Sequence, residues 1–170
     1  HVGSWEWDIA EDTFIVSEGW QQVHGTKKKT LSRNELLPIA HPDDRPMIEK
    51  ALAAAREADQ PYEIEHRIVR QDDGSMRIVQ AYGEFIRDDQ GRPIKMYGAA
   101  QDITERKQAE EARRESEERY RVLFESFPLG ITVADGDGRI LETNAESERL
   151  LGISPDEHEA RHIAGEEWRI

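Results

Sequence analysis

Cysteine is absent from the 170 residues, so no disulfide braces the fold and no thiolate serves as nucleophile or metal ligand. No run of about 18 apolar residues occurs, which leaves no candidate membrane-spanning helix. The first residues lack the charged-then-apolar pattern of a secretory leader. Positive charge is in short supply: 23 Lys and Arg face 36 Asp and Glu, a formal net charge of −13. Such a chain is repelled by nucleic acid and by anionic membrane surfaces, so neither is expected as a partner. A cytoplasmic location is the default. Apolar residues make up only 36%, against 35% charged, which implies that a sizeable part is solvated helix or linker.

What is present begins with alternation. Trp5, Trp7 and Ile9 alternate with Glu6 and Asp8, and TFIVS follows at 13–17, so residues 4–17 read as a hairpin. Trp20 and Val23 sit three apart and Gly25 follows, predicting a short helix closed by glycine. Ser32 and Glu35 form a capping-box pattern for another. HPDD at 41–44 opens a longer helix with Met47, Ile48, Ala51, Leu52 and Ala55 as its apolar stripe. The period then changes to two: strands are expected over 62–70, 75–87 and 92–101, with turns at Asp72-Asp73-Gly74 and Asp88–Gly91. Strands and helices in separate runs argue for an antiparallel α+β domain with helices on one face.

Residues 105–121 carry six acidic and six basic side chains at helical spacing. Glu110–Arg114, Glu115–Arg119 and Glu117–Arg121 are candidate i,i+4 pairs, and Ala109, Ala112, Ser116, Tyr120, Leu123 and Phe127 form a weak candidate coiled-coil seam. Sliding the chain by 127 residues sets Gly3 on Gly130, Asp8 on Asp135, Ser17 on Asn144, Val23 on Leu150 and Gly25 on Gly152. Residues 128–170 therefore read as the opening of a second copy, and the whole as a piece of a longer chain whose unfinished sheet edge pairs with another chain.

GSWEWD at 3–8, AHPDDR at 40–45, QDDGSMR at 71–77 and YGAAQDITERKQAEEA at 97–112 together resemble a PAS domain of the bacterial kind that ends in Asp-Ile-Thr. The resemblance implies a five-stranded antiparallel sheet with helices over one face (residues 1–103), a linker or signalling helix (104–127) and the N-terminal part of a second PAS unit (128–170). It implies a sensory or dimerising module of a larger signalling protein, of the histidine kinase or diguanylate cyclase type, covalently joined to an output domain and paired as a homodimer through the linker helix. Relatives hold small ligands, haem or flavin between sheet and helices, and many hold nothing known, so the cofactor is unknown. Without cysteine, flavin photochemistry through a thiol adduct is excluded. Many relatives carry a tryptophan near Ile78, which this chain lacks.

The candidate relay is Asp102, Ile103, Thr104 and Glu105. Asp102 is placed to accept backbone N–H bonds at the helix start, with Glu105 in the positive field there; Thr104 is the competing cap. A helix cap is the plainer reading, and a latch that passes strand movement into the helix is the functional one. The candidate ligand pocket is Trp7, Ile64, His66, Tyr82 and Tyr97. His66 shares a strand face with Tyr62, Ile64 and Ile68, so it is placed to point inward, although a buried histidine bonded to a neighbour is the plainer reading. His24 and His41 are the other imidazoles weighed as haem ligands.

His158-Glu-Ala-Arg-His162 matches the HExxH zinc motif, but eight residues remain for a third ligand, and in a glutamate-rich chain coincidence is the better reading. No paired catalytic carboxylates, phosphate-binding loop or nucleophile–base set stands out, so an enzyme is not expected. The alternative to a sensor is a ligand-free dimerisation or interaction scaffold.

Overall fold

The hairpin at the start of the chain is tied by its own turn. In the computed structural model, which describes residues 1–58 and 60–152, β1 (Val2–Asp8) pairs with β2 (Thr13–Val16) so that Trp7 faces Phe14. Asp8 Oδ1 accepts the amides of Ala10 and Glu11 and closes the loop. Helix α1 (Glu18–His24) starts on the Ser17 hydroxyl and stops at Gly25, whose φ of 66° is the left-handed conformation that glycine adopts without steric cost. β3 (Thr30–Ser32) leads into the one-turn α2 (Arg33–Leu36), where Glu35 reaches back 2.9 Å to the Ser32 amide. Tight turns at Leu37–Ile39 and Pro42–Asp44 precede α3 (Arg45–Ala58).

β4 (Tyr62–Val69), β5 (Met76–Arg87) and β6 (Pro93–Asp102) form the expected meander. The antiparallel sheet runs β3-β2-β1-β6-β5-β4. It has one strand more than the five expected. β3 offers three residues and a single buried one, Leu31, which is too short to show alternation. One face buries Trp7, Phe14, Val79, Ala81, Met96 and Ala100. Burying each large side chain contributes about 1.5–3 kcal/mol. On the same face the Trp5 indole lies against Gly83 and Gly98, which oppose each other in register. A Cβ at Gly98 would meet the Tyr82 carbonyl oxygen at 2.0 Å, so the strands come this close only with glycine there.

α4 (Thr104–Ser126) is the charged helix, and the chain divides within it into two compact units, His1–Ala109 and one beginning at Glu110. In the second unit, β7 (Thr132–Ala134) and β8 (Ile140–Thr143) form a hairpin followed by α5 (Ala145–Leu151). Its centre is Asn144, fully buried. Asn144 Oδ1 accepts from the amides of Ile131 and Ser147, and Nδ2 donates to the carbonyls of Phe124 and Leu129. All four hydrogen-bonding positions of the side-chain amide are filled.

The seam expected along α4 is not buried within the chain. Ala109, Ala112 and Ser116 are exposed, as are Tyr120, Leu123 and Phe127, and the buried position is Phe124, whose ring stacks on Tyr120 at 5.5 Å. A single helix has no partner to cover a seam, so the packing of its own unit decides which side is buried. Arg114 forks onto Glu111 three residues earlier, and Arg113 pairs with Glu117.

Candidate functional site

The helices over the sheet leave a cavity of about 120 Å³ in the first unit. Trp7, Ala81, Met96 and Ala100 form its sheet side, and Leu36, Ile48 and Leu52 its helical side. Two clamps set the walls. Asp44 Oδ2 accepts from the Arg67 amide at 2.8 Å and from Arg67 Nε at 3.0 Å, fastening the start of α3 to β4 beside His66. Arg70 Nη1 donates to the Val23 carbonyl at the end of α1, and the Gln71 amide donates to that of His24. The AHPDDR and QDDGSMR segments thus hold the two histidines in place.

His24 and His66 both line the cavity. His24 is buried, stacks on Trp20 with ring centres 3.6 Å apart, and places Nδ1 2.9 Å from the Trp20 carbonyl oxygen. A carbonyl only accepts, so Nδ1 carries the proton. Burial pushes both imidazoles down to about 4, so both are neutral at pH 7. His66 Nδ1 is shut off from solvent and has no hydrogen-bond partner among the described residues.

Of the other expected pocket residues, Trp7 lines the cavity. Ile64 packs into the adjoining core beside it. Tyr82 and Tyr97 do not line it: they occupy the opposite face, exposed, and both hydroxyls donate to Glu84. The strand period is the reason. With Ala81 and Met96 pointing in, their neighbours Tyr82 and Tyr97 must point out.

The relay residues meet at one place. Asp102 Oδ1 accepts from the Thr104 amide at 2.9 Å and from its hydroxyl. Burial alone would raise the Asp102 carboxyl, but the bonds from Thr104, together with the nearby Arg77 guanidinium and the N-terminal ammonium, outweigh it and hold the group below its ordinary range. Thr104 Oγ1 accepts from the Ile78 amide at 2.9 Å, and the Ile103 amide donates to the Ile78 carbonyl at 2.9 Å. Ile103 and Thr104 are buried, and Glu105 is exposed in the first turn of α4. Sequence reasoning missed Ile78. It acts here through its backbone, which no side-chain signature reveals. The HEARH segment lies outside the described residues.

A porphyrin or a flavin ring system does not fit the cavity. Its volume is of the order of the roughly 150 Å³ that admits benzene, below the roughly 300–1,000 Å³ of drug-sized sites. Among the described residues no cluster of three or more metal-ligating side chains occurs, and no helix is long and apolar enough to cross a membrane.

The chain is 30% identical over 155 residues to a two-component sensor of Pseudomonas aeruginosa, covering 91% of this chain and 16% of that protein. It is 24% identical over 157 residues to a hybrid signal transduction histidine kinase of Dictyostelium discoideum, covering 90% and 9%. It therefore spans well under a fifth of the length of these curated relatives. Among solved structures, a sensory box histidine kinase/response regulator from Burkholderia thailandensis superposes with a TM-score of 0.61 at 28% identity, covering 72% of this chain and 92% of that one. The N-terminal domain of a diguanylate cyclase with PAS/PAC sensor from Marinobacter aquaeolei gives 0.54 at 18% identity, covering 61% and 96%. Two family models, both described as PAS fold, match residues 13–100 and 118–168. With the first covering more than half of its length, the chain belongs to the PAS-fold family.

Proposed function

We propose that the chain is the sensory, signal-transducing part of a larger protein, in which the state of the first unit's cavity is passed through Asp102, Ile103, Thr104 and Glu105 into α4. The observation that carries this reading is the double hold on Ile78. One residue of β5 gives its amide to Thr104 and its carbonyl to Ile103, on the two sides of the helix start. β6 lines the cavity with Met96 and Ala100 and ends two residues beyond Ala100, at Asp102. A ligand shifts such an equilibrium only by its differential affinity for the two states.

The module itself binds rather than catalyses: its cavity presents two neutral imidazoles in a largely apolar wall. α4 pairs with a second copy, an assignment supported by the exposed Tyr120, Val122 and Leu123 near the end of a mostly charged rod and by the exposed Phe127 just beyond it. The output domain is a kinase or a cyclase, as the relatives' names suggest, and acts in the cytoplasm, where its nucleotide substrates are.

The test is amide exchange on the whole chain. Ala100→Leu fills the cavity from β6 and mimics occupancy. Exchange at Lys107, whose amide donates to the Ile103 carbonyl, is expected to change in Ala100→Leu and to be indifferent to it in a Thr104→Val background. Indifference in both backgrounds, with the fold intact, overturns the relay.

A further inference from the structure

Resting on the sensing role proposed above, we infer that the cavity takes a small, uncharged, single-ring aromatic molecule bearing one polar group, held by a hydrogen bond to His66 Nδ1. Size comes first: about 120 Å³ accommodates one six-membered ring and little more. Trp5, Trp7, Phe14, Trp20 and Tyr62 supply aromatic walls, which favour offset or edge contacts with a planar guest. Among the described residues, no Asp, Glu, Lys or Arg lines the space. An ionised guest would give up its hydration and meet no countercharge, so charge is selected against.

The polar group is set by the histidines. His24 Nδ1 is already committed to the Trp20 carbonyl, 2.9 Å away. His66 Nδ1 is the buried polar atom left without a partner among the described residues of this wall. Because burial keeps His66 neutral near pH 7, Nδ1 is either a single donor or a single acceptor. A hydroxyl serves both cases, since it donates and accepts. A carboxylate or an ammonium does not. A phenol-like molecule satisfies size, wall chemistry, neutrality and the orphaned nitrogen together.

The experiment titrates the whole chain at pH 7 with phenol, toluene and benzoate, following binding by calorimetry and the ¹⁵N shift of His66 Nδ1. Phenol is expected to bind about tenfold more tightly than toluene, the size of one net hydrogen bond. It moves the Nδ1 resonance, which toluene leaves in place. Benzoate is expected not to bind where phenol saturates. His66→Leu is expected to remove the advantage of phenol while retaining toluene, and Ala81→Leu to exclude both. Benzoate binding as well as phenol, a phenol advantage that survives in His66→Leu, or no binding by phenol overturns the assignment. The ¹⁵N readout needs no variant, so the test stands even where His66→Leu does not fold. Failure here leaves the relay untouched, because the exchange at Lys107 is read without any ligand.

Discussion

Ser17 and Asn144, 127 positions apart, begin equivalent helices with equivalent bonds. Ser17 Oγ accepts from the amides of Ser4 and Trp20; Asn144 Oδ1 accepts from those of Ile131 and Ser147, each 127 residues further on. The backbone repeats the match, Ser17 N–H to Ser4 carbonyl and Asn144 N–H to Ile131 carbonyl. Both helices end on a left-handed glycine, Gly25 at 66° and Gly152 at 68°. The difference lies in the side chain. A hydroxyl joins hairpin to helix and stops there. The amide of Asn144 goes on to hold the Phe124 carbonyl near the end of α4 and the Leu129 carbonyl in the connecting loop. The same turn thus serves as a local cap in one unit and as an anchor for the preceding helix in the other.

The largest effect should come from removing that anchor. Asn144→Ala leaves two donors and two acceptors without partners in a fully buried site. With each unsatisfied buried group costing about 1–3 kcal/mol and some relief from entering water, the expected loss is about 3–5 kcal/mol. Ser17→Ala removes a cap and is expected to cost about 1 kcal/mol. Amide exchange at Ile131 and Ser147 in the first variant, against Ser4 and Trp20 in the second, reads each unit at its own donors. Equal losses would show that the extra arm of Asn144 holds nothing.

The first unit carries a pH dependence through its buried histidines. Burial lowers His24 and His66 in the first unit from 6.5 to about 4. Between those values the unfolded chain binds protons that the folded one refuses, so stability falls as pH drops from 6.5 to 4 and is fully present above 6.5. The expected decline over the whole interval is on the order of 3 kcal/mol for each histidine, since each tenfold loss of proton affinity on folding corresponds to about 1.4 kcal/mol. Asp44, held down to about 2 by the Arg67 guanidinium, extends the decline below about pH 4, in the usual carboxylate direction. Thermal melts of the wild type and His66→Leu at pH 7 and 5 check this. A His66→Leu protein that loses as much stability as the wild type over that interval would remove His66 from the account.

Much of this was legible from residues. The alternation of Trp5 and Trp7, the Gly25 stop, the Ser32–Glu35 box and the three meander strands follow from local chemistry, and the structure has them within a residue or two. Pairing Ser17 with Asn144 came from spacing alone. What was not legible depended on parity or on the backbone. Tyr82 and Tyr97 are as apolar as a pocket residue needs to be, and only the register of β5 on β6 turns them outward. The Ile78 amide and carbonyl carry no signature at all. β3 had too few residues to show a period. In the seam of α4 the helical spacing was sound, but spacing does not say whether a partner or the chain's own unit covers a face.

The smallest expected effect sharpens the contrast between the middle of α4 and its ends. Arg113 Nη1 lies 3.1 Å from Glu117 Oε1, and both side chains are largely exposed. An exposed i,i+4 pair contributes about 0.3–0.5 kcal/mol, further weakened by salt. Arg113→Ala should therefore shift melting by no more than that, and less at high ionic strength, as circular dichroism would record. At the ends the holds are of another kind, Thr104 on the Ile78 amide and Asn144 on the Phe124 carbonyl, both in buried surroundings. A charged rod of this composition gains little along its length, so its position is decided where its ends are gripped. If Arg113→Ala instead cost as much as Ser17→Ala, the side-chain ladder would rank with the caps, and α4 would be a helix stabilised by its own surface.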